Sequence, residues 1–277
     1  MRPIRRIERP RPWALQRGFT LIEAVMVIVI TGIVISVVSV FILPATNAYL
    51  SSSSRAQLGD QADTALRRMA RDLTLALPNS VRVSASAQAV ELIPVSGGAR
   101  YATESGDTLQ FGTSPADTSF DVIGPPRKLS HTSQQLAWFN LGAGIADADA
   151  YTLANVRTAT SAAGNASNVT FTGAALPNAL MAPPYRVYAI EPPVTYRCNT
   201  AAGTLTRYTG YGFSSTQPDP PTAGTSAVLS RDVSACTFTY SAGAVGARYA
   251  LASLQITLAR NGESVSLYHA VHVDNLP

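Results

Sequence analysis

The sequence is poor in charged residues, which make up only 14 % of its 277 residues. Much of the positive charge is concentrated at one end, because positions 1–18 contain six arginines and one glutamate. The other residues hold 15 basic and 16 acidic side chains, so they have no basic excess. Binding of nucleic acid through bulk positive charge is therefore not expected.

Histidine is scarce, and motifs of common catalytic sites are missing. His269 and His272 are three positions apart on a predicted strand, so they should point to opposite faces and cannot hold one metal ion together. There is no nucleophile elbow, phosphate-binding loop or zinc-protease helix motif. Asp147-Ala-Asp149 matches only part of a calcium loop, and a turn explains it more simply. We expect no enzymatic activity and no cofactor.

One long apolar run is present, from Phe19 to Leu43, with a single charged residue. As a helix it would be about 37 Å long, enough to cross a hydrocarbon core of about 30 Å, and it is too long for an ordinary signal peptide. Arginines precede the run and none follows until Arg55. This asymmetry predicts a single membrane span with a cytoplasmic N-terminus and an extracytoplasmic C-terminal part.

Glu23 is the one charge within this run. A carboxylate in a lipid-facing helix costs about 2.5 to 3.5 kcal/mol on insertion scales. Either Glu23 lies near the interface or is protonated, or it pairs with a cation of another chain.

The residues around Glu23, "RGFTLIE" from Arg17, resemble the processing motif of type IV prepilins and secretion-system pseudopilins. The resemblance implies that residues 1–18 are a leader, cut between Gly18 and Phe19 by a prepilin peptidase that then methylates the amine of Phe19. It also implies that Glu23 faces the α-amino group of a neighbouring subunit and sets the assembly register. Implied partners are other major and minor pilins, the inner-membrane assembly platform and inner membrane lipid, and the implied location is first the inner membrane and then the pilus.

Residues 44–78 are predicted to continue the helix as an amphipathic stalk. Pro44 should kink or locally melt it, and Pro78-Asn79 should end it. Apolar residues recur at helical spacing, at Leu58, Ala62, Leu66, Met69, Leu73 and Leu77. This stripe either packs on the protein's own head or forms a coiled-coil seam.

Residues 79–277 are predicted to form an antiparallel β-rich head, giving an α+β fold with a long N-terminal helix packed on a sheet domain. Short alternating runs separated by Gly, Pro, Ser and Asp predict the strands. These are Ser80–Val83, Ala89–Pro94, Thr108–Gly112, Gln135–Asn140, Tyr185–Glu191, Val194–Cys198, Thr204–Tyr208, Thr237–Tyr240, Ala250–Ala259 and Ser264–Val273. The last two should form a hairpin around Asn261-Gly262. Residues 158–176, rich in small polar residues, are predicted to be a long surface loop.

The head contains the only two cysteines, Cys198 and Cys236. Outside the cytoplasm they are best explained as one disulfide, with metal binding as the weaker alternative. Between them lie Tyr208, Tyr211 and Phe213, which are either an exposed contact patch or ordinary core and turn residues.

Several segments resemble the minor-pilin-like proteins of the mannose-sensitive haemagglutinin (MSHA) pilus. They are "ADTALRRMARDLTLALPNSVRV", "VYAIEPPVTYRCNTAAGTLTRYTGYG", "VSACTFTY" and "LQITLARNGESVSLYHAVHVDNLP". This implies a low-abundance subunit that helps to start or cap a type IV pilus. Two alternatives stay open: a minor pseudopilin of type II secretion, and a pilus-tip adhesin or ligand-binding subunit.

Overall fold

The computed structural model describes residues 18–241 and 248–277, so the predicted leader lies outside the described residues except for Gly18. The chain divides into two compact units, with the boundary in the sequence between Ser53 and Ser54. The first contains the apolar part of the N-terminal helix, and the second contains the rest of that helix and all the strands.

The N-terminal helix runs from Leu21 to Thr74 in three parts. Helix α1 spans Leu21–Val37, a π-helical turn spans Val38–Ile42, and helix α2 spans Leu43–Thr74. The π-helical turn lies directly before Pro44, whose ring would clash with the carbonyl four residues earlier in a regular helix. The disturbance expected at Pro44 is therefore a widened turn.

The predicted end of the helix at Leu77 is wrong by three residues. After Thr74 the backbone joins the sheet region: Leu77 N–H donates to the Ile93 carbonyl at 2.7 Å, and the Leu75 carbonyl accepts from Val95 N–H at 2.9 Å. These hydrogen bonds replace helical ones, so Leu77 is buried through strand contacts although it lies at helical spacing from Leu73.

The apolar stripe of α2 packs on the protein's own head, as the first of the two interpretations expected. Its buried residues are Leu58, Ala62, Ala65, Leu66, Met69 and Leu73. On the side away from the core, Arg67 pairs with Asp63 at 2.6 Å, four residues apart. Arg68 lies 3.5 Å from Asp72, whose side chain is largely buried at the edge of the apolar stripe. The helix thus has an apolar face towards the core and a charged face towards water.

Sixteen strands are present in the described part of the head, and every pairing there is antiparallel. They are β1 (Arg82–Val83), β2 (Ala89–Leu92), β3 (Val95–Tyr101), β4 (Ser119–Ile123), β5 (Arg127–Leu129), β6 (Gln135–Trp138), β7 (Val156–Ala159), β8 (Gly164–Ala166), β9 (Asn168–Thr172), β10 (Arg186–Ile190), β11 (Val194–Asn199), β12 (Thr204–Thr209), β13 (Thr225–Arg231), β14 (Val233–Ser241), β15 (Tyr249–Arg260) and β16 (Glu263–Asp274). Two short 3-10 helices span Ala150–Thr152 and Asn178–Leu180.

These strands form four sheets. The first has the order β1-β2-β11-β12-β13, and the second is a three-stranded sheet β14-β15-β16. Strands β10, β3, β4, β9, β7 and β6 close into a barrel, and β5 pairs with β8 as a separate ribbon. The α+β class with a long N-terminal helix and antiparallel sheets is confirmed.

The hairpin β15–β16 has the predicted register. Arg260 pairs with Glu263, which leaves Asn261 and Gly262 as a two-residue turn, both at positive φ. Leu254, Ile256 and Leu258 on β15 are fully buried, and the alternation continues along β16. Because side chains alternate across a strand, one turn dipeptide and one apolar period fix the whole hairpin.

The predicted surface loop at residues 158–176 is wrong in its central part. That segment contains β8 and β9, and Val169 and Phe171 of β9 are buried in the barrel. The predicted strand Thr108–Gly112 is also wrong. Leu109 and Phe111 there are buried, but the backbone is irregular because its partners are scattered: Gln110 N–H donates to Asp117 and Gly112 N–H to the Leu176 carbonyl.

The head has three apolar cores. The largest lies between α2, the five-stranded sheet and the three-stranded sheet. A second lies inside the barrel and contains a group of edge-to-face and tilted aromatic rings, Tyr101, Phe120, Trp138 and Phe171. A smaller one, with Leu77, Ile93 and Tyr151, joins the barrel to the five-stranded sheet. The apolar cores therefore connect the barrel and the sheets within the head.

Candidate functional site

The predicted cleavage site lies before the start of the helix. Gly18, Phe19 and Thr20 have no regular secondary structure, and the Phe19 side chain is 81 % exposed. Thr20 caps the helix, since its hydroxyl accepts from the backbone N–H of Glu23 at 3.3 Å. A peptide bond in such a segment is accessible to a protease, whereas a bond inside the helix would first need unwinding.

Glu23 lies in the first helical turn, and its side chain is exposed. A negative charge there is stabilised by the positive end of the helix dipole, by a few tenths to about 1 kcal/mol at an exposed position. Within the described residues its carboxylate has no hydrogen-bond or ion-pair partner. The carboxylate is thus held at the start of the helix and available to a cation from outside the chain.

The helix that follows is apolar on every side. None of the residues of α1 is buried, and large side chains such as Ile28 and Phe41 are among the most exposed of the described protein. This helix is long and apolar enough to cross a membrane. Such a surface is stable only in lipid or against other apolar helices.

The two cysteines are joined by a disulfide, which links β11 of the five-stranded sheet to β14 of the three-stranded sheet. The Cα atoms of Cys198 and Cys236 are 6.5 Å apart, and Cys198 is fully buried. The bridge therefore fastens the two sheets that cover α2.

The aromatic residues between the cysteines are partly buried. Tyr208 lies on β12, opposite Thr195 of β11. Phe213 packs against the small core around Tyr151. Tyr211 places its hydroxyl 2.8 Å from a carboxylate oxygen of Glu91 and 2.7 Å from the Thr195 hydroxyl. For Tyr211 and Phe213 these contacts favour the core-and-turn interpretation over an exposed patch.

A buried ion pair, which sequence reasoning missed, lies beneath Tyr211. Glu91 is fully buried on β2 and accepts from Arg82 Nε at 2.5 Å. The same guanidinium donates to the carbonyls of Ser214 and Ser215, both at 2.8 Å, and lies 3.6 Å from the centre of the Tyr151 ring. The pair thus fastens the segment after β12 to the sheet.

Protonation within this cluster follows from burial. Burial raises the pKa of Glu91 above its ordinary value, and the hydrogen bond and charge of Arg82 partly offset that rise. Burial also raises the pKa of Tyr211, and the charge of Glu91 adds to this. Since the Tyr211 proton is donated to Glu91, the Thr195 hydroxyl donates to Tyr211. The hydrogen bonds therefore run from Thr195 through Tyr211 to Glu91.

A second polar cluster ties α2 to the five-stranded sheet. Asp72 of α2 accepts from the Tyr196 hydroxyl at 2.6 Å and pairs with Arg207 at 3.0 Å. Burial and the hydrogen bond to Asp72 raise the pKa of Tyr196 to about 12, so this phenol stays a donor at physiological pH. The cluster fixes the helix against the sheet and is structural.

The sequence does contain a signal for the Glu91 cluster. Glu91 interrupts the apolar run Val90-Glu91-Leu92-Ile93, and all residues of β2 are buried. A carboxylate within such a run needs a cationic partner, and Arg82 is the residue opposite Glu91 in the β1–β2 pairing. The described residues contain no group of three or more side chains suited to hold a metal ion.

Residues 13–39 match the family model described as the prokaryotic N-terminal methylation motif. No curated protein and no solved structure matches the chain. The matched segment includes Gly18, Phe19, Glu23 and most of the exposed apolar helix. Such a motif implies processing by a prepilin peptidase and assembly with other pilins, in families whose members are structural subunits. Together with the membrane-length helix and the disulfide, this match supports a type IV pilin-like or pseudopilin protein.

Proposed function

We propose that this chain is a minor pilin-like subunit of a type IV pilus of the MSHA kind, and that it resembles the pilus biogenesis protein MshO. In this proposal a prepilin peptidase removes residues 1–18 and methylates Phe19. The processed subunit then acts in initiation, assembly or tip formation of the filament.

One observation carries the proposal. The Gly18–Phe19 bond lies in an exposed, non-helical segment directly before a helix that is apolar on all sides and has its one carboxylate in the first turn. The helix needs apolar surroundings, which lipid and a bundle of equivalent helices both provide. Transfer from membrane to filament is then nearly neutral in free energy. Once Phe19 is freed, a neighbour's terminal amine can pair with Glu23, which offsets the cost of burying that carboxylate.

The place of the MSHA-like segments in the fold supports the finer assignment. They cover the C-terminal part of α2 with β1, most of β10, β11 with β12, most of β14, and most of the hairpin β15–β16. Apart from β10, these elements surround the largest core and the disulfide. The barrel, formed mainly between Val95 and Ile190, lies largely outside these segments. A pilin-like frame that carries an added barrel agrees with a bulky minor subunit.

The first experiment is mass spectrometry of the N-terminal peptide of the protein purified from its host membrane. The proposal expects a mature end at methylated Phe19. A peptide that begins at Met1, or one cut elsewhere, would reduce the segment to a plain anchor and contradict the proposal.

Glu23→Ala tests the assembly step separately. We expect normal cleavage and methylation but fewer pili, because the neighbour's amine would lose its partner in the filament interior. Thr31→Ala, on the same exposed helix, is the matched control and should leave pili unchanged. Normal pili in the Glu23→Ala strain would refute the pairing.

Secretion pseudopilins share this N-terminal chemistry, so a deletion strain is needed to separate the two filament systems. Loss of pili with normal release of secreted enzymes supports the pilus subunit. The reverse result would assign the chain to a type II secretion filament.

A further inference from the structure

A cavity of about 190 Å³ enters the barrel and is partly open to solvent. Its walls are mostly apolar side chains of the barrel strands, namely Phe120, Val122, Leu136, Val169, Val187 and Ala189. Six strands enclose little space, and in small barrels side chains normally fill it. An enclosed apolar cavity of about 150 Å³ is already large enough to bind benzene. A cavity of this size and lining therefore has room for a small apolar group.

The cavity exists because one strand contributes almost no side chain to it. Tyr101 of β3 points into the barrel core, so by the two-residue period Ala99 and Gly97 face inward as well. Gly97 has no side chain, and a Cβ placed there would meet only the Lys128 carbonyl, at 3.6 Å. The void is thus a consequence of the sequence "GGA" on β3.

The opening of the cavity is positively charged. Arg127 and Lys128 of β5 line it, and both side chains are exposed. A second groove, of about 370 Å³, adjoins the cavity through Gly98, Ala99 and Arg127 and adds Arg100 and Arg186. Because Tyr101 and Val187 face the barrel core, Arg100 and Arg186 lie on the outer face of the barrel wall, beside the opening. Arg127, Lys128, Arg100 and Arg186 are named below as the cationic mouth.

The cationic mouth lacks compensating acids. Across residues 18–241 and 248–277, none of its four side chains forms an ion pair or a hydrogen bond within the chain. Arg100 and Arg186 are directly opposite each other on β3 and β10, an arrangement that costs free energy because like charges face each other. A bound anion would remove that cost.

The rest of the unit argues against a polyanion as the ligand. Residues 54–277 contain 15 basic and 15 acidic side chains, so four of the 15 basic residues are gathered at this one mouth in a unit without net charge. Nucleic acids are held by many phosphate contacts along an extended basic surface. A local basic cluster beside an apolar cavity fits a small ligand instead.

We propose that the barrel binds a small organic acid, with an aromatic or short aliphatic body inside the cavity and its carboxylate at the cationic mouth. The apolar body gains dispersion contacts with the lining side chains, and the carboxylate accepts from Arg127 and Lys128. Arg100 and Arg186 add attraction from the adjoining groove. The site is independent of processing and assembly at the N-terminus.

The test is isothermal titration calorimetry of the full chain in lipid nanodiscs, with empty nanodiscs as the blank. Four probes separate the two parts of the site: benzoate, hexanoate, benzyl alcohol and acetate. We expect saturable binding of benzoate or hexanoate at one per chain, and the tighter of the two identifies an aromatic or an aliphatic body. Benzyl alcohol should bind at least about tenfold more weakly, since hydrogen bonds to charged groups contribute more than neutral ones. Acetate should show no saturable binding.

Three variants assign the binding to this site. Gly97→Val should fill the cavity and abolish binding of both acids, because a β-branched side chain fits the strand but occupies the void. The double variant Arg127→Gln with Lys128→Gln should weaken the acids at least about tenfold while leaving benzyl alcohol unchanged. Arg231→Gln, on β13 of another sheet, is the charge control and should change nothing.

Circular dichroism and the unfolding midpoint show whether each variant is folded, and Ala99→Leu replaces Gly97→Val if that variant is not. The proposal is overturned if neither acid binds saturably, if binding survives in the folded cavity-filling variant, or if benzyl alcohol binds as tightly as benzoate. It is also overturned if a single-stranded oligonucleotide, and neither acid, binds in a manner that depends on Arg127 and Lys128.

Discussion

Replacement of Glu91 by leucine should strongly destabilise the head. Glu91 is fully buried, and Arg82, its partner at 2.5 Å, is only 13 % exposed in its side chain. Without the carboxylate the guanidinium keeps the carbonyls of Ser214 and Ser215 but loses its counter-charge, and the Tyr211 hydroxyl loses its acceptor. Removal of one partner of a buried pair costs about 3 to 5 kcal/mol.

Glu91→Gln also removes the counter-charge of Arg82, but it should cost roughly 1 to 3 kcal/mol less than Glu91→Leu, because its amide oxygen still accepts from Arg82 and no buried donor is left unpaired. The amide nitrogen can donate to the Tyr211 oxygen if the hydroxyl bonds from Thr195 through Tyr211 reverse their direction. Both hydroxyls can rotate, and the pair is close at 2.7 Å. The chemistry of the glutamine therefore fits the pocket, whereas that of leucine does not.

The assay is urea unfolding of the full chain in a neutral detergent, with the disulfide intact and tryptophan fluorescence as the signal. The free energies of unfolding in water are compared among variants whose unfolding free energy has the same slope against urea concentration. Glu104→Gln, at an exposed position, is the control and should stay within about 0.5 kcal/mol of the parent protein. The reasoning is refuted if Glu91→Leu and Glu91→Gln destabilise equally, or if Arg82→Met combined with Glu91→Leu costs the sum of the two single changes.

The pH dependence of unfolding gives an independent check. The pKa of Glu91 is raised in the folded protein above its ordinary value of 4.5, so the folded state binds its proton more tightly than the unfolded state. The stability contributed by Glu91 therefore increases as the pH falls through its folded pKa towards 4.5. Glu91→Gln should lack this increase.

Three further outcomes follow from the packing and the charges. Leu66→Ala, at a nearly fully buried position of α2, should cost about 2 to 5 kcal/mol of unfolding free energy, whereas Leu75→Ala at an exposed position should cost little. Cys198→Ser should cost roughly 4 kcal/mol in the loop-entropy estimate for a closed loop of this length, measured by the same urea assay. The Thr132 carbonyl and the Glu191 carboxylate raise the pKa of His131 above 6.5. Its stabilising contribution is therefore complete below pH 6.5 and is lost as the pH rises through the folded pKa. Titration by nuclear magnetic resonance should show a lower His131 pKa in Glu191→Gln, and an unchanged value would contradict the contact.

The sequence predicts well those parts of the fold whose structure follows from a local pattern of apolar residues. The membrane-length run needs only length and composition, and the stripe of α2 needs only helical spacing. The hairpin β15–β16 needs alternation and the Asn261-Gly262 turn. In each case the contacting residues are close in sequence, or the element packs through one whole apolar face. The prediction therefore does not require knowledge of which distant residues pair.

The barrel could not be predicted in this way. Strand β3 carries two adjacent glycines and has no clear alternation, and its partners β4 and β10 are about 20 and 90 residues away. Phe111 is buried without being in a strand, so burial and strand structure are separated there. The cationic mouth depends on this topology too, because Arg100, Arg127 and Arg186 come together only when the barrel closes.

The candidate assembly site is the opposite case. Gly18, Phe19 and Glu23 lie within six residues, so their arrangement is encoded locally. The buried pair Arg82–Glu91 was missed because the sequence does not show which residues of β1 and β2 face each other. Glu91 within an apolar strand is nevertheless a sign that a cation lies close to it.

The disulfide between β11 and β14 has a mechanical consequence. It closes a loop with a sequence separation of 38 residues, which contains β12 and β13. At about 3.4 Å per extended residue, this loop represents roughly 130 Å of contour length. When the two ends of the head are pulled apart, tension passes through the covalent bridge and bypasses the loop, so that length cannot be released. The extension per unfolding event in a single-molecule pulling trace should therefore increase by about that amount only after the bridge has been reduced.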